Sequence, residues 1–78
     1  MVTLYRLFAV NTITNKKIEP KGYMPDTRKS FYRQINELVN KLNLGKYKTC
    51  CMVYDTDKDR RIYENGYIEI ERRFYYDG

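Results

Sequence analysis

The chain has 78 residues, with 15 Lys and Arg against 10 Asp and Glu, two Cys and no His. That length holds one hydrophobic core, so a single small domain over residues 1–78 is expected. No apolar run reaches the roughly 18 residues of a membrane-spanning helix, and the N-terminus lacks the basic and apolar blocks of a signal peptide. The expectation is a cytoplasmic protein with no membrane partner.

Val2–Asn11 is rich in β-branched and aromatic residues and has no helical period, so it reads as a strand. The next stretch reads as a turn at Thr14–Lys17 and a short returning strand, with Ile18 and Tyr23 as apolar anchors. Pro20 cannot donate to a ladder, which puts this strand at an edge.

The segment from Asp26 to Gly45 has the one clean helical period. Phe31, Ile35, Leu38, Val39 and Leu42 form a single stripe. Asp26 is the expected N-cap and Gly45 the expected stop.

A third strand is expected over Lys46–Asp55, a polar turn over Asp55–Asp59, and a fourth strand over Arg60–Glu64. Asn65-Gly66 is the strongest hairpin signal in the chain, followed by a fifth strand over Tyr67–Tyr76. A two-residue turn at Asn65-Gly66 would pair Tyr63 with Ile68 and Ile62 with Glu69. Tyr63, Ile68, Ile70 and Phe74 then face the helix, and Ile62, Glu64, Tyr67, Glu69 and Glu71 face away. The expected fold is α+β: a single amphipathic helix packed on one face of a mainly antiparallel four- to five-stranded sheet, in the order ββαβββ.

Catalytic and metal chemistry find little support. Asp55, Asp57 and Asp59 open like a calcium loop. Arg60 stands where that loop needs Gly, and Gly66 where it needs a bidentate Glu. A solvated turn, neutralised by Lys58, Arg60 and Arg61, is the plainer reading. Cys50 and Cys51 are adjacent, so they close an ordinary disulfide only with severe strain, and they read as reduced thiols. With no His, no activated nucleophile and no phosphate-cradling loop, neither an enzyme nor a cofactor or metal site is expected.

Charge and tyrosine content are more informative. Residues 1–54 carry a balance of +7 and residues 55–78 a balance of −2. A basic front points to an anionic partner, either nucleic acid or an acidic protein surface. Lys16, Lys17, Lys21, Arg28, Lys29 and Arg33 are its candidate contacts. Arg28 and Lys29 are poorly placed for the helix dipole, so helix propensity does not explain them. On a helical wheel Lys29, Arg33, Asn36, Glu37 and Asn40 form the outer face. DNA-groove reading is disfavoured there, for want of a helix-turn-helix partner.

There are nine tyrosines, and one helix covers only one sheet face. A leftover apolar face drawn from Tyr5, Leu7, Tyr47, Val53 and Tyr67 is therefore expected to meet a partner or a second copy. Tyr5, Tyr47 and Tyr67 are its candidate binding residues. Stacking on nucleic-acid bases is the alternative use of such rings.

In composition the chain is heavy in Lys, Asn, Ile and Tyr. It resembles the small accessory proteins of phages and mobile elements, a population that includes anti-CRISPR and other anti-defence inhibitors. That resemblance implies a non-catalytic inhibitor docking on a nucleic-acid-handling host complex, and it assigns no residue roles. The alternative is a direct DNA- or RNA-binding module.

Overall fold

A computed structural model describes residues 2–19, 22–25, 27–52 and 58–75. Lys21, Asp26, Val53, Asp55, Asp57 and Tyr76 lie outside them, as do the side chains of Cys50, Cys51 and Phe74. The protein is α+β: one helix, α1 (Arg28–Leu42), packs on one face of an antiparallel sheet. The strands are β1 (Val2–Asn11), β2 (Lys17–Ile18), β3 (Met24–Pro25), β4 (Tyr47–Met52), β5 (Lys58–Tyr63) and β6 (Gly66–Tyr75). Their order across the sheet is β2-β1-β6-β5-β4, and β3 also pairs with β1.

The central ladder joins β1 to β6 along its whole length, from Val2 opposite Tyr75 to Asn11 opposite Gly66. Alternation puts Tyr5, Leu7, Ala9, Ile68 and Ile70 on the helix side, where all are buried. The α1 stripe meets them with Phe31, Ile35, Leu38 and Leu42 buried and Val39 partly so. Two polar contacts pin the helix along β1. The Tyr5 hydroxyl lies 3.2 Å from Ser30 Oγ at one end. At the other, Asn11 Nδ2 donates to the Leu42 carbonyl at 2.7 Å. Twelve residues of helix span about 18 Å and six of strand about 20 Å, so the spacings match.

The helix is shorter than expected at both ends. Thr27 is its N-cap, and its side chain accepts from the Ser30 amide at 3.3 Å. Asn43, not Gly45, takes the left-handed turn that ends it, with φ 52° and ψ 50°. Asn tolerates this region because its short polar side chain bonds locally. Leu44 then turns inward and is buried, and its amide closes on the Val39 carbonyl at 3.0 Å.

Three other expectations are corrected. The returning strand is two separate pieces, β2 and β3, each two residues long. The turn ahead of it begins earlier, over Thr12–Thr14, where Asn11 Oδ1 accepts from the Ile13 and Thr14 amides, and Asn15 follows in the left-handed conformation that the expected turn gave it, with φ 62°. The β5–β6 hairpin turns at Glu64-Asn65, so Tyr63 pairs with Gly66 and Ile62 with Tyr67. Gly66 is dictated by close approach to β1: a Cβ there would lie 1.9 Å from the Val10 carbonyl oxygen. Because each partner moves by two residues, the face assignment survives.

Candidate docking site

The structure scatters the basic residues read together from the sequence. Lys16 and Lys17 are exposed beyond the Asn11 end of β1, and Lys17 lies 3.8 Å from Glu19. Arg28 and Lys29 are exposed in the first turn of α1, at the Tyr5 end. About 20 Å of strand separates the two groups. Arg33 is exposed on the outer side of the helix. There is no single basic front among the described residues.

The expected leftover face is also corrected. Tyr5 is 0% exposed and Leu7 is buried, both under the helix. Two apolar-looking neighbours on a strand face opposite ways, and the helix took the odd-numbered set. The open face instead carries Leu4, Arg6, Phe8 and Val10 from β1, with Tyr67, Glu69, Glu71 and Arg73 from β6. Its charges are joined in a lattice. Arg6 Nε donates to Glu71 Oε2 at 2.8 Å, Tyr23 OH donates to Glu71 Oε1 at 2.9 Å, and Arg73 Nε donates to Tyr23 OH at 2.6 Å. Arg60 lies 3.6 Å from Glu69, and its guanidinium sits 4.5 Å above the Tyr67 ring. Leu4, Phe8, Val10 and Tyr67 on this face are all half-buried.

Asp59, expected in a solvated turn, is a buried strand residue whose carboxylate meets Arg72. Burial of that carboxylate requires such a partner. Arg72 in turn lies over the Phe31 ring at 5.4 Å.

Among the described residues the large apolar side chains most open to solvent are Ile13, 71% exposed in the turn after β1, and two tyrosines that share one flank of the helix. Tyr32 is 47% exposed and Tyr47 is 46% exposed. Tyr32 follows Phe31 by about 100° around the helix, which carries it off the buried stripe and toward β4 and β5. Arg61 lies on the helix side of β5, alternating with Tyr63. Its guanidinium is 5.8 Å from the Tyr32 ring, 5.6 Å from Tyr47 and 5.5 Å from Phe31. Edge-on contacts extend the group: Tyr5 to Phe31 at 5.4 Å, Phe31 to Tyr32 at 5.5 Å, and Tyr47 to Tyr63 at 5.6 Å. Cation–ring and edge-on ring contacts of this kind each contribute about 0.5–1 kcal/mol at exposed sites.

Next to this shelf runs β4. It pairs inward with β5, with a register shift between Tyr47 and Thr49. Among the described residues no strand pairs with its outer side. Lys46 and Lys48 beside it are exposed.

Of the nine sequence-derived candidates, Tyr47 belongs to this flank. Tyr67 belongs to the open face, Tyr5 to the core, and Lys21 lies outside the described residues. The sequence reading missed Tyr32 and Arg61. The available signals were Tyr32's position next to the stripe and Arg61's alternation with Tyr63, which puts a cation on the helix side. No group of three or more His, Cys, Asp or Glu able to hold a metal occurs among the described residues. Comparison with protein families, with characterised proteins and with solved structures finds no match to this chain.

Proposed function

We propose that this protein is a non-catalytic docking module that holds a protein partner on the flank between α1 and β4. The observation that carries the reading is the pair of exposed tyrosines, Tyr32 and Tyr47, set on either side of Arg61. Tyr and Arg are the residues that most often dominate binding energy at protein interfaces. Here contacts with Arg61 and neighbouring rings restrict both tyrosines before any partner arrives, and such restriction lowers the ordering cost of association. Direct nucleic-acid binding is less favoured. Lys16 and Lys17 lie at the other end of β1 from Arg28 and Lys29, and the arginines of the open face are engaged with Glu69 and Glu71. The compositional resemblance to phage accessory proteins gives the reading its specific form, an inhibitor of a nucleic-acid-handling host complex.

The test is a paired variant, Tyr32→Ser with Tyr47→Ser. Circular dichroism and thermal melting check the fold, and the captured proteins are compared with wild type in a host lysate. Loss of capture by a folded variant is expected. An unchanged set of captured proteins removes the flank as the docking site. A mobility-shift titration of the wild-type chain on single- and double-stranded oligonucleotides runs alongside. Binding that weakens with salt, by a log–log slope of about −0.9 per phosphate contact on duplex, would favour nucleic acid instead.

A further inference from the structure

The two edges of the sheet differ in how they meet solvent. On one side, β1 is flanked by β2 and β3, which are two residues each. Pro25, opposite Leu4, has no N–H to offer. Short strands and proline are the usual means by which an edge is made unfit for further pairing. On the other side, β4 runs for six residues without a proline, as Tyr-Lys-Thr-Cys-Cys-Met. Alternate residues of an edge strand direct their N–H and C=O groups outward, so β4 offers a ladder about three residues deep. The shelf of Tyr32, Arg61 and Tyr47 stands along this edge and not along the other.

We propose that β4 is the acceptor for an added strand: an extended, acidic segment of a protein partner that pairs with β4 antiparallel or parallel and continues the sheet. The proposal rests on the docking reading above and gives it a binding mode. Main-chain hydrogen bonds to β4 supply the register, and alternate side chains of the added strand meet the tyrosine shelf. Charge selects the occupant. Lys46 and Lys48 are exposed along the edge, and β4 itself contains no Asp or Glu. A second copy of the chain would bring the same two lysines, and a net charge of +5, against an identical surface. An acidic strand removes that repulsion and gains attraction.

The experiment follows the backbone amides of the ¹⁵N-labelled full chain by NMR. Three ten-residue peptide probes are titrated to millimolar concentration. One alternates Val and Glu, one alternates Val and Lys, and one is the Val–Glu peptide N-methylated at alternate residues. The Val–Glu peptide is expected to shift the amides of Tyr47–Met52 and slow their hydrogen exchange. It should bind at least tenfold more tightly than either of the others, a difference of about 1.4 kcal/mol. Lys46→Glu with Lys48→Glu should reverse the preference toward the Val–Lys peptide. Shifts confined to other strands, indifference to N-methylation, or no shift with any peptide would each overturn the proposal. So would protection of β4 by concentration-dependent dimerisation in sedimentation, which would assign the edge to a second copy. If lysate capture depends on Tyr32 and Tyr47 while the peptides leave β4 untouched, only strand addition fails and the docking reading stands.

Discussion

On the helix side of the sheet, Tyr5, Leu7, Ala9, Ile68 and Ile70 are buried against Phe31, Ile35, Leu38 and Leu42. On the other side, Leu4, Phe8, Val10 and Tyr67 are only half-buried, among arginines and glutamates bonded to one another. Both faces contain apolar residues, yet only one is dry. The covered face excludes water with a second layer. The open face sets its apolar residues among Arg6, Arg60 and Arg73, whose guanidinium groups lie near Glu71 and Glu69 and over the Tyr23 and Tyr67 rings. A face whose apolar residues alternate with paired charges is compatible with solvent. The flank differs from both faces, because there Tyr32 and Tyr47 stand about half exposed.

The largest expected effect lies on the dry face. Leu38 is buried in the middle of the helical stripe, and Leu38→Ala should cost about 2–5 kcal/mol through lost transfer energy and the cavity left behind. In a domain of this size that is a large share of the total stability. Urea melts with an unchanged slope give the value. A loss near zero would mean that α1 does not seal the core.

How much of this was legible in the sequence depends on the range of the interaction. The stripe on α1 follows from a local period of 3.6, and the extent of β1 from its β-branched and aromatic content and its lack of that period, and both are as read. The choice between the two faces of β1 is different. Leu4, Phe8 and Val10 are as apolar as Tyr5, Leu7 and Ala9, so alternation alone cannot tell which row meets the helix. Arg6 could have decided it, since it shares a row with Leu4 and Phe8 and its charge belongs in water. The hairpin turn was displaced because Asn65-Gly66 has strong turn chemistry of its own. The glycine is required instead by the backbone of β1, a strand some fifty-five residues away. No local pattern carries that information. The basic residues looked like one cluster because they are near in sequence, whereas β1 holds them apart.

A middle-sized effect should separate the open face from the core. Glu71 accepts from both Arg6 and Tyr23 and lies 3.8 Å from Arg73, so it is the centre of the lattice. Glu71→Ala should cost about 1 kcal/mol, more than an isolated surface pair because three side chains lose their anchor, and less than a core cavity. Part of the effect should vanish in high salt, since these groups are partly exposed and screened. Melts at two salt concentrations read both quantities. A salt-independent loss as large as that of Leu38→Ala would make the open face part of the core.

The smallest effect belongs to Asn40, on the outer side of the same helix. Its side chain is exposed, two positions past Leu38 and so about 200° around the axis from it. Truncation there opens no cavity. Ala also has the higher helix propensity, by a few tenths of a kcal/mol, because Asn competes for backbone hydrogen bonds in non-helical conformations. The Asn40 carbonyl accepts from the Asn43 amide at the helix end, and that backbone bond is kept in the variant. Asn40→Ala should therefore stay within about 0.5 kcal/mol of wild type, with any change on the stabilising side. The variant is measured beside Leu38→Ala in the same buffer, so that only the side of the helix differs. Similar losses for the two would mean that both sides of α1 are packed, and the outer side would then need a covering layer that the fold described here does not have.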